Sequence, residues 1–555
     1  MALRRGATLE LLALLPAALG GVLLWGGEPA EIVFTLQRIG FHLDNAETAV
    51  RHAPATMAGG VALLDYNRDG RLDIFFTNGA DLRTLKKDSP RFWNRLFRND
   101  GNGRFTDVTQ QAGLMGTGYD TGVAVGDYDN DGWPDIFVAG VHRNTLYHNN
   151  RDGTFTDVSG PAGISQPDPQ YGPRWAVGAA WVDVNHDGLL DLFVVNYLQW
   201  DFASEPVCAT GGVADYCHPK FYRGLPNQLF LNRGQGRFED VSEAWGIRSH
   251  IGKGMSVAVA DYDGDGWPDL FVPCDKVFNL LFHNTGKNRF DETAFESGVA
   301  AAEDGKLISG MGADFRDIDN DGLPDIAFAA LNGETFPLFH NAGGGQFEDI
   351  TTRSGIRSLT LPIAGFSVGM LDFDNDGWKD IFVTGGQVEA LEHQGSPVDQ
   401  FNAVLRNPGS SGHWTLLRED AGLTAAPPAR HRGAAFGDLN NDGRIDAVVT
   451  ALDADAEIWW NRSAPEHHWL EVSLEGTKSN RDGIGARIKL VSRSGTQYNH
   501  ATTAVGYASS SAGPVHFGLG ADDRVDSLEI HWPSGTVQTL TDVKADRVLP
   551  VREPD

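Results

Sequence analysis

The sequence predicts an all-β fold: a seven-bladed β-propeller with calcium-binding loops, followed by a small C-terminal β domain. Three observations predict it. A nine-residue acidic pattern recurs seven times along the 555 residues. Each copy lies between two short apolar runs bounded by turn residues, which read as strands. A second pattern follows most copies: an Asn, an apolar stretch, a Gly-rich turn and a Phe, which reads as a hairpin. Four antiparallel strands in each repeat of roughly 60 residues describe a propeller blade.

The acidic pattern is Asp-x-Asp/Asn-x-Asp-Gly-x-x-Asp. Its copies start 62, 56, 78, 56, 55 and 66 residues apart and hold 25 of the 74 acidic residues. Positions 1, 3, 5 and 9 supply Asp65, Asn67, Asp69 and Asp73 in the first loop, and Asp127, Asp129, Asp131 and Asp135 in the second. The third has Asp183, Asn185, Asp187 and Asp191, and the fourth Asp261, Asp263, Asp265 and Asp269. The fifth has Asp317, Asp319, Asp321 and Asp325, and the sixth Asp372, Asp374, Asp376 and Asp380. The seventh has Asp438, Asn440, Asp442 and Asp446. The backbone carbonyl at position 7 adds an oxygen from Arg71, Trp133, Leu189, Trp267, Leu323, Trp378 or Arg444. Alternating oxygen donors suit Ca²⁺, which takes six to eight oxygens, and the Gly at position 6 permits the sharp turn. Nothing points to the compact octahedron Mg²⁺ demands. An EF-hand needs Glu at position 12, where the first copy has Phe76. The alternative is a set of metal-free acidic turns, in which the clustered like charges repel. Seven equivalent loops in register read as structural sites on one face. Loops one, three and seven, with Asn at position 3, are expected to bind more weakly.

The seventh repeat lacks its last strand. In other repeats the Phe opening that strand precedes a Gly by eight residues, as Phe105 precedes Gly113, and Ile32 precedes Gly40 by the same interval. Segment 32–36 is therefore expected to pair into the last blade and close the ring, which removes exposed sheet edges.

The formal charge is −29. It argues against nucleic acid and anionic membrane surfaces as partners, since both need basic patches, though less strongly once a third of the acids are assigned to metal loops. Arg4 and Arg5 precede an apolar run over 11–25, the layout of a secretory signal or a single uncleaved anchor. Residues 1–30 are expected to be that leader, 31–462 the propeller and 463–555 the C-terminal domain. The protein is expected to be secreted, periplasmic or on the cell surface, and monomeric.

Other chemistry is sparse. Cys208 and Cys217, nine residues apart in the longest inter-loop gap, read as a disulfide or as two buried thiols. Cys274 follows a strand and reads as a core residue rather than a nucleophile. His148, His283 and His340 recur beside Asn and read as blade architecture. Trp133, Trp267 and Trp378 read as packing between blades. Asn461-Arg462-Ser463 is a glycosylation sequon. No zinc spacing and no nucleophile elbow appears.

On these motifs, the acidic loops resemble the FG-GAP/VCBS repeats of integrin α propellers. The whole chain resembles secreted proteins of the cartilage acidic protein type, which join such a propeller to an ASPIC/UnbV domain. HWLEVSLEGTKSNRDGIGARI (468–488), HFGLG (516–520) and VDSLEIHWPSG (525–535) carry the latter resemblance, with the cysteine-containing insertion around 208–219 and Arg432-Gly433. Gly385-Gly386-Gln387, Ser509-Ser510-Ser511 and Cys274 depart from the usual pattern. The resemblance implies Ca²⁺ binding and adhesion-type recognition outside the cytoplasm, of a protein or a polysaccharide, with no accepted chemistry for the C-terminal domain. The competing expectation is an extracytoplasmic enzyme (a lyase, hydrolase or biosynthetic tailoring enzyme) with its site at the propeller channel or the domain junction.

Overall fold

The structure is a computed structural model that describes residues 32–165, 168–389, 396–410 and 412–555. The leader expected at 1–30 lies outside the described residues. Every repeat folds as a four-stranded antiparallel unit in which the acidic loop joins the first strand to the second. In the second repeat the strands are Tyr119–Gly126, Asp135–Val141, Thr145–Asn149 and Phe155–Asp157. Position 9 of the loop is the first residue of the second strand in all seven cases. Among the described residues seven such units occur, and the first strand of each packs beside the first strand of the next, the last (His431–Gly437) returning to the first (Val61–Leu64). The units therefore form a closed β-propeller. The first two strands of the second unit are buried along their whole length, because each sheet is covered by both neighbours.

The ring closes with a strand from the amino-terminal side. Phe34–His42 pairs antiparallel with Asp455–Asn461, completing the seventh unit. The register differs from the expected one by two residues. Phe34, not Ile32, stands opposite Asn461, as Phe155 stands opposite Asn149. The sequence interval misled because Gly40 is a residue inside the strand. The glycine that matters belongs to the preceding unit: a Cβ added at Gly422, where φ is +72°, would lie 2.5 Å from the Phe34 carbonyl. A chain beginning at Leu43 removes this strand and exposes the edge at Asp455–Asn461. It is expected to be insoluble or unfolded when refolded beside the longer chain, and normal melting would refute the closure.

Residues 463–555 form two further sheets. One pairs His468–Glu475 with Val515–Gly520 and Arg547–Arg552, and the other contains Gly495–His500, Arg487–Ser492, Arg524–His531 and Val537–Lys544. Alternating residues such as Leu470, Val472, Ile488, Leu490, Leu528 and Ile530 bury a core of their own. A hairpin between the sheets, Ala504–Val505 with Ser509–Ser511, leaves this core and enters the propeller channel. Ser509–Ser511 pairs in parallel with Val61–Leu64, and the hairpin touches the first strand of all seven units. Tyr507 at its tip is fully buried and donates to the Met57 carbonyl at 2.8 Å.

Small polar residues suit this place. The inner strands leave backbone groups facing the channel, and each needs a partner. The Ser510 and Ser511 hydroxyls accept from the Val125 and Phe436 amides, while Val123 N–H donates to the Ala508 carbonyl at 3.1 Å. Ser510 and Ser511 thus satisfy part of the channel wall.

Candidate functional site

The seven acidic loops share one geometry. The position-1 carboxylate accepts the amide of the position-6 glycine in every loop, at 2.6 Å in the second (Gly132 to Asp127). The position-5 carboxylate accepts the position-7 amide. The buried position-9 carboxylate accepts an amide from the Asn of the third strand: Asn99, Asn149, Asn232, Asn284, Asn341, Asn407 or Asn461. The side chain of each Asn then donates to the carbonyl of loop position 2 in the preceding unit, as Asn149 does to Tyr66 and Asn99 to Leu439. These asparagines clamp loop to loop around the ring. Asn461 is one of them and fully buried, which removes the sequon as a glycosylation site.

The carboxylates converge. Ligand oxygens of Asp127, Asp129 and Asp135 lie within 4.8 Å of one another, as do those of Asp261, Asp263 and Asp265. Oxygens at that mutual spacing fit around a cation with bonds of about 2.3–2.6 Å. Burial, and then neighbouring carboxylates, push Asp73 and Asp127 up to about 8. Burial likewise pushes Asp135, Asp183 and Asp269 up to about 7. The loops thus concentrate negative charge that their own residues do not fully offset.

Three loops gain a histidine from the third strand. His148 Nδ1 lies 3.3 Å from Asp135, His283 Nδ1 3.2 Å from Asp269, and His340 Nδ1 3.2 Å from Asp325. The sequence reading assigned these histidines to blade architecture; they stand among the loop carboxylates instead. The repeated His-Asn pair was the available signal, since the Asn anchors the loop and its neighbour must lie beside it. Loop six holds a guanidinium: Arg406 lies 2.9 Å from Asp374 and 3.4 Å from Asp376. Arg71 pairs with Asp69 at 2.5 Å and Arg444 with Asp442, so position 7 also carries counter-charge in loops one and seven.

The C-terminal segment covers the loop face. Asp482 accepts the Asp127 amide at 2.8 Å, Arg487 pairs with Asp261 at 2.7 Å, and Lys379 of loop six donates to the Tyr498 carbonyl at 3.0 Å. His500 and His516 bond the Val259 and Gly443 carbonyls, and burial holds them down to about 3 and about 4. Both are neutral donors to backbone and not acid–base groups.

Two spaces remain at this junction. A small cavity of about 60 Å³ is lined by Asp372, Asp438 and Glu471 together with Arg316 and Lys379. Burial, and then Asp438 and Asp442, push Glu471 up to about 8. An open groove of about 610 Å³ runs along loops three to five, lined by Trp267, Arg487, Lys489, Tyr498 and His531. Trp267 stacks on His186 of the preceding unit at 4.2 Å. Away from the loops, Cys208 and Cys217 are bonded across the hairpin of Cys208–Thr210 and Val213–Asp215, with Cα atoms 5.3 Å apart. Cys274 is buried and its thiol is pushed up to about 12, which makes it a core residue.

Comparison with known proteins matches these parts. The FG-GAP-like repeat family covers residues 65–138, 127–194, 221–272 and 317–383, and the ASPIC and UnbV family covers 476–555. Loop seven lies outside the repeat matches yet has the same hydrogen bonds. Cartilage acidic protein 1 of Xenopus tropicalis is 25% identical over 383 residues, 68% of this chain and 54% of that protein. Its Homo sapiens counterpart is 26% identical over 316 residues, 56% and 45% of the two chains. Integrin alpha-4 of Xenopus laevis is 31% identical over 148 residues, 23% of this chain and 14% of that one. The chain spans about half the length of the first of these relatives. The BP39L lectin from Burkholderia pseudomallei covers 73% of this chain and 96% of its own, at 11% identity and a TM-score of 0.44. Among the described residues no helix is long and apolar enough to cross a membrane.

Proposed function

From a chain that carries FG-GAP-like repeats and an ASPIC and UnbV domain and is related to cartilage acidic protein 1, we propose an exported, calcium-stabilised recognition protein that binds a protein or polysaccharide outside the cytoplasm. The observation that carries this reading is the occupied channel. The hairpin at 504–511 fills the space in which propellers commonly hold a substrate, so the broad outer surfaces and the junction groove are left for a ligand. The alternative of an enzyme at the channel loses its site; at the junction the smaller cavity has room only for water or an ion, which leaves the groove as the place for a ligand or a substrate.

Calcium has a structural part in this proposal. The carboxylates at positions 1, 3, 5 and 9 would hold it, with the position-7 carbonyl. Bound Ca²⁺ supplies positive charge to buried carboxylates and fixes the loops on which the C-terminal segment rests. His148, His283 and His340 offset part of the same charge while the loops are empty, since the nearby carboxylates push His283 and His340 up to about 9.

The groove is the proposed recognition surface. Tyr498 and Trp267, whose ring is stacked on His186, line it beside Arg487 and Lys489. Binding is tested by applying labelled protein in Ca²⁺ to a glycan array and to an array of extracellular proteins. The expected result is binding in one arm, weakened about tenfold by Trp267→Ala. Binding that is indifferent to Trp267→Ala would remove the groove, and binding in neither arm would remove the recognition reading.

A further inference from the structure

Glu471 is a carboxylate without a partner. It lies in strand His468–Glu475 of the C-terminal segment and is 3% exposed. Its carboxylate accepts no hydrogen bond from any described residue and pairs with no cation; the charges that bear on it are Asp438 and Asp442 of loop seven, both of its own sign. It lines the same small cavity as Asp438 and Asp372. An isolated buried charge is among the costliest arrangements a protein can contain; Arg316 and Lys379 line the same space but neither pairs with Glu471.

The neighbouring residues hold Glu471 against that loop. Trp469, two residues earlier on the same face of the strand, packs on Gly443 at loop position 6. A Cβ added there would lie 1.9 Å from the indole, and φ is +81°, so only glycine permits the approach. On the adjoining strand His516, directly opposite Glu471, bonds the Gly443 carbonyl at 3.1 Å. Loop seven is also one of the three loops with Asn at position 3. It lacks one carboxylate that loops two, four, five and six have, and Glu471 brings a carboxylate to it from another part of the chain.

We infer that Glu471 is a ligand supplied by the C-terminal segment to a divalent cation in loop seven, so that cation binding latches this segment to the propeller. The inference rests on the calcium reading above and deepens it. The loop residues Asp438, Asn440, Asp442 and Asp446 hold the ion from the propeller side, and Glu471 holds it from the other. Cation loss then leaves Glu471 facing like charges and loosens the docked strand. The C-terminal segment also brings Asp482 to loop two, where it accepts the Asp127 amide; Glu471 differs in accepting no such bond, which leaves its oxygens for the cation of loop seven.

The test is the melting temperature of the full chain and of Glu471→Gln, each in Ca²⁺ and in EDTA. Gln keeps the shape and removes the charge. The expected result is a crossing: the variant melts higher than wild type in EDTA and lower in Ca²⁺, so that its gain from Ca²⁺ shrinks by about 2 °C or more. A variant that melts higher in both conditions, lower in both, or the same in both overturns the inference. A wild type indifferent to Ca²⁺ overturns the calcium reading itself, which is a separate outcome. Asp438→Asn provides the second check. In that background Glu471→Gln is expected to leave the Ca²⁺ gain unchanged, because the shared ion is already lost; a full additive effect overturns the shared site.

Discussion

Removing divalent cations with EDTA is expected to lower the melting temperature by on the order of 10 °C, and adding Ca²⁺ back is expected to restore it. A ligand held at 100 times its dissociation constant stabilises the folded state by about 2.7 kcal/mol at each site. Several loops filled together make this the largest single effect available. The buried carboxylates give the sign of the pH dependence. Asp73 and Asp127 rise to about 8 and Asp135, Asp183 and Asp269 to about 7 in the folded, metal-free protein, against about 3.9 when unfolded. The folded state therefore binds more protons than the unfolded state across that window. Metal-free stability should rise as pH falls from about 8 toward the ordinary carboxylate range. In Ca²⁺ the slope should reverse, because protons compete with the cation for the same oxygens. Melting curves at several pH values, with and without Ca²⁺, check both signs. An unchanged melting temperature in EDTA would sink the metal assignment.

Tyr507→Ala is expected to cost about 3–5 kcal/mol in denaturant unfolding, the range for truncating a buried aromatic side chain. Tyr507 is fully buried at the tip of the channel hairpin, meets Phe366 edge-on at 5.2 Å and donates to the Met57 carbonyl. Its removal leaves a void among strands that form a closed ring and cannot collapse inward. Tyr507→Phe keeps the ring and should cost only about 1 kcal/mol, for the lost hydrogen bond. If both substitutions are neutral, the hairpin does not fill the channel in solution.

The two predictions concern features of different legibility. The acidic loops could be read residue by residue, because each ligand position lies within nine residues and the pattern repeats. Strands were legible for the same reason: apolar runs and Gly-rich turns are local signals. Ring closure was half legible. The missing strand could be inferred from an incomplete repeat, but its register depends on Gly422 in the preceding unit, which no interval within 32–40 reveals. The histidines beside Asp135, Asp269 and Asp325 were visible as a recurring residue and invisible as loop partners, since 13 to 15 residues separate each from its carboxylate.

By itself the sequence determined the repeat, the acidic loops and hence the all-β propeller with a second β segment. Those follow from periodicity, and periodicity is written along the chain. Only the tertiary structure decided that the C-terminal segment lies over the loop face, that its hairpin fills the channel, and that Glu471 meets loop seven. Ser509, Ser510 and Ser511 look like any polar turn until three inner strands present the backbone amides of Val61, Val125 and Phe436 to them. Their meaning, like that of Glu471, comes from groups hundreds of positions away along the chain for Ser510 and some thirty positions for Glu471, and contact at that range is set by packing rather than by local sequence.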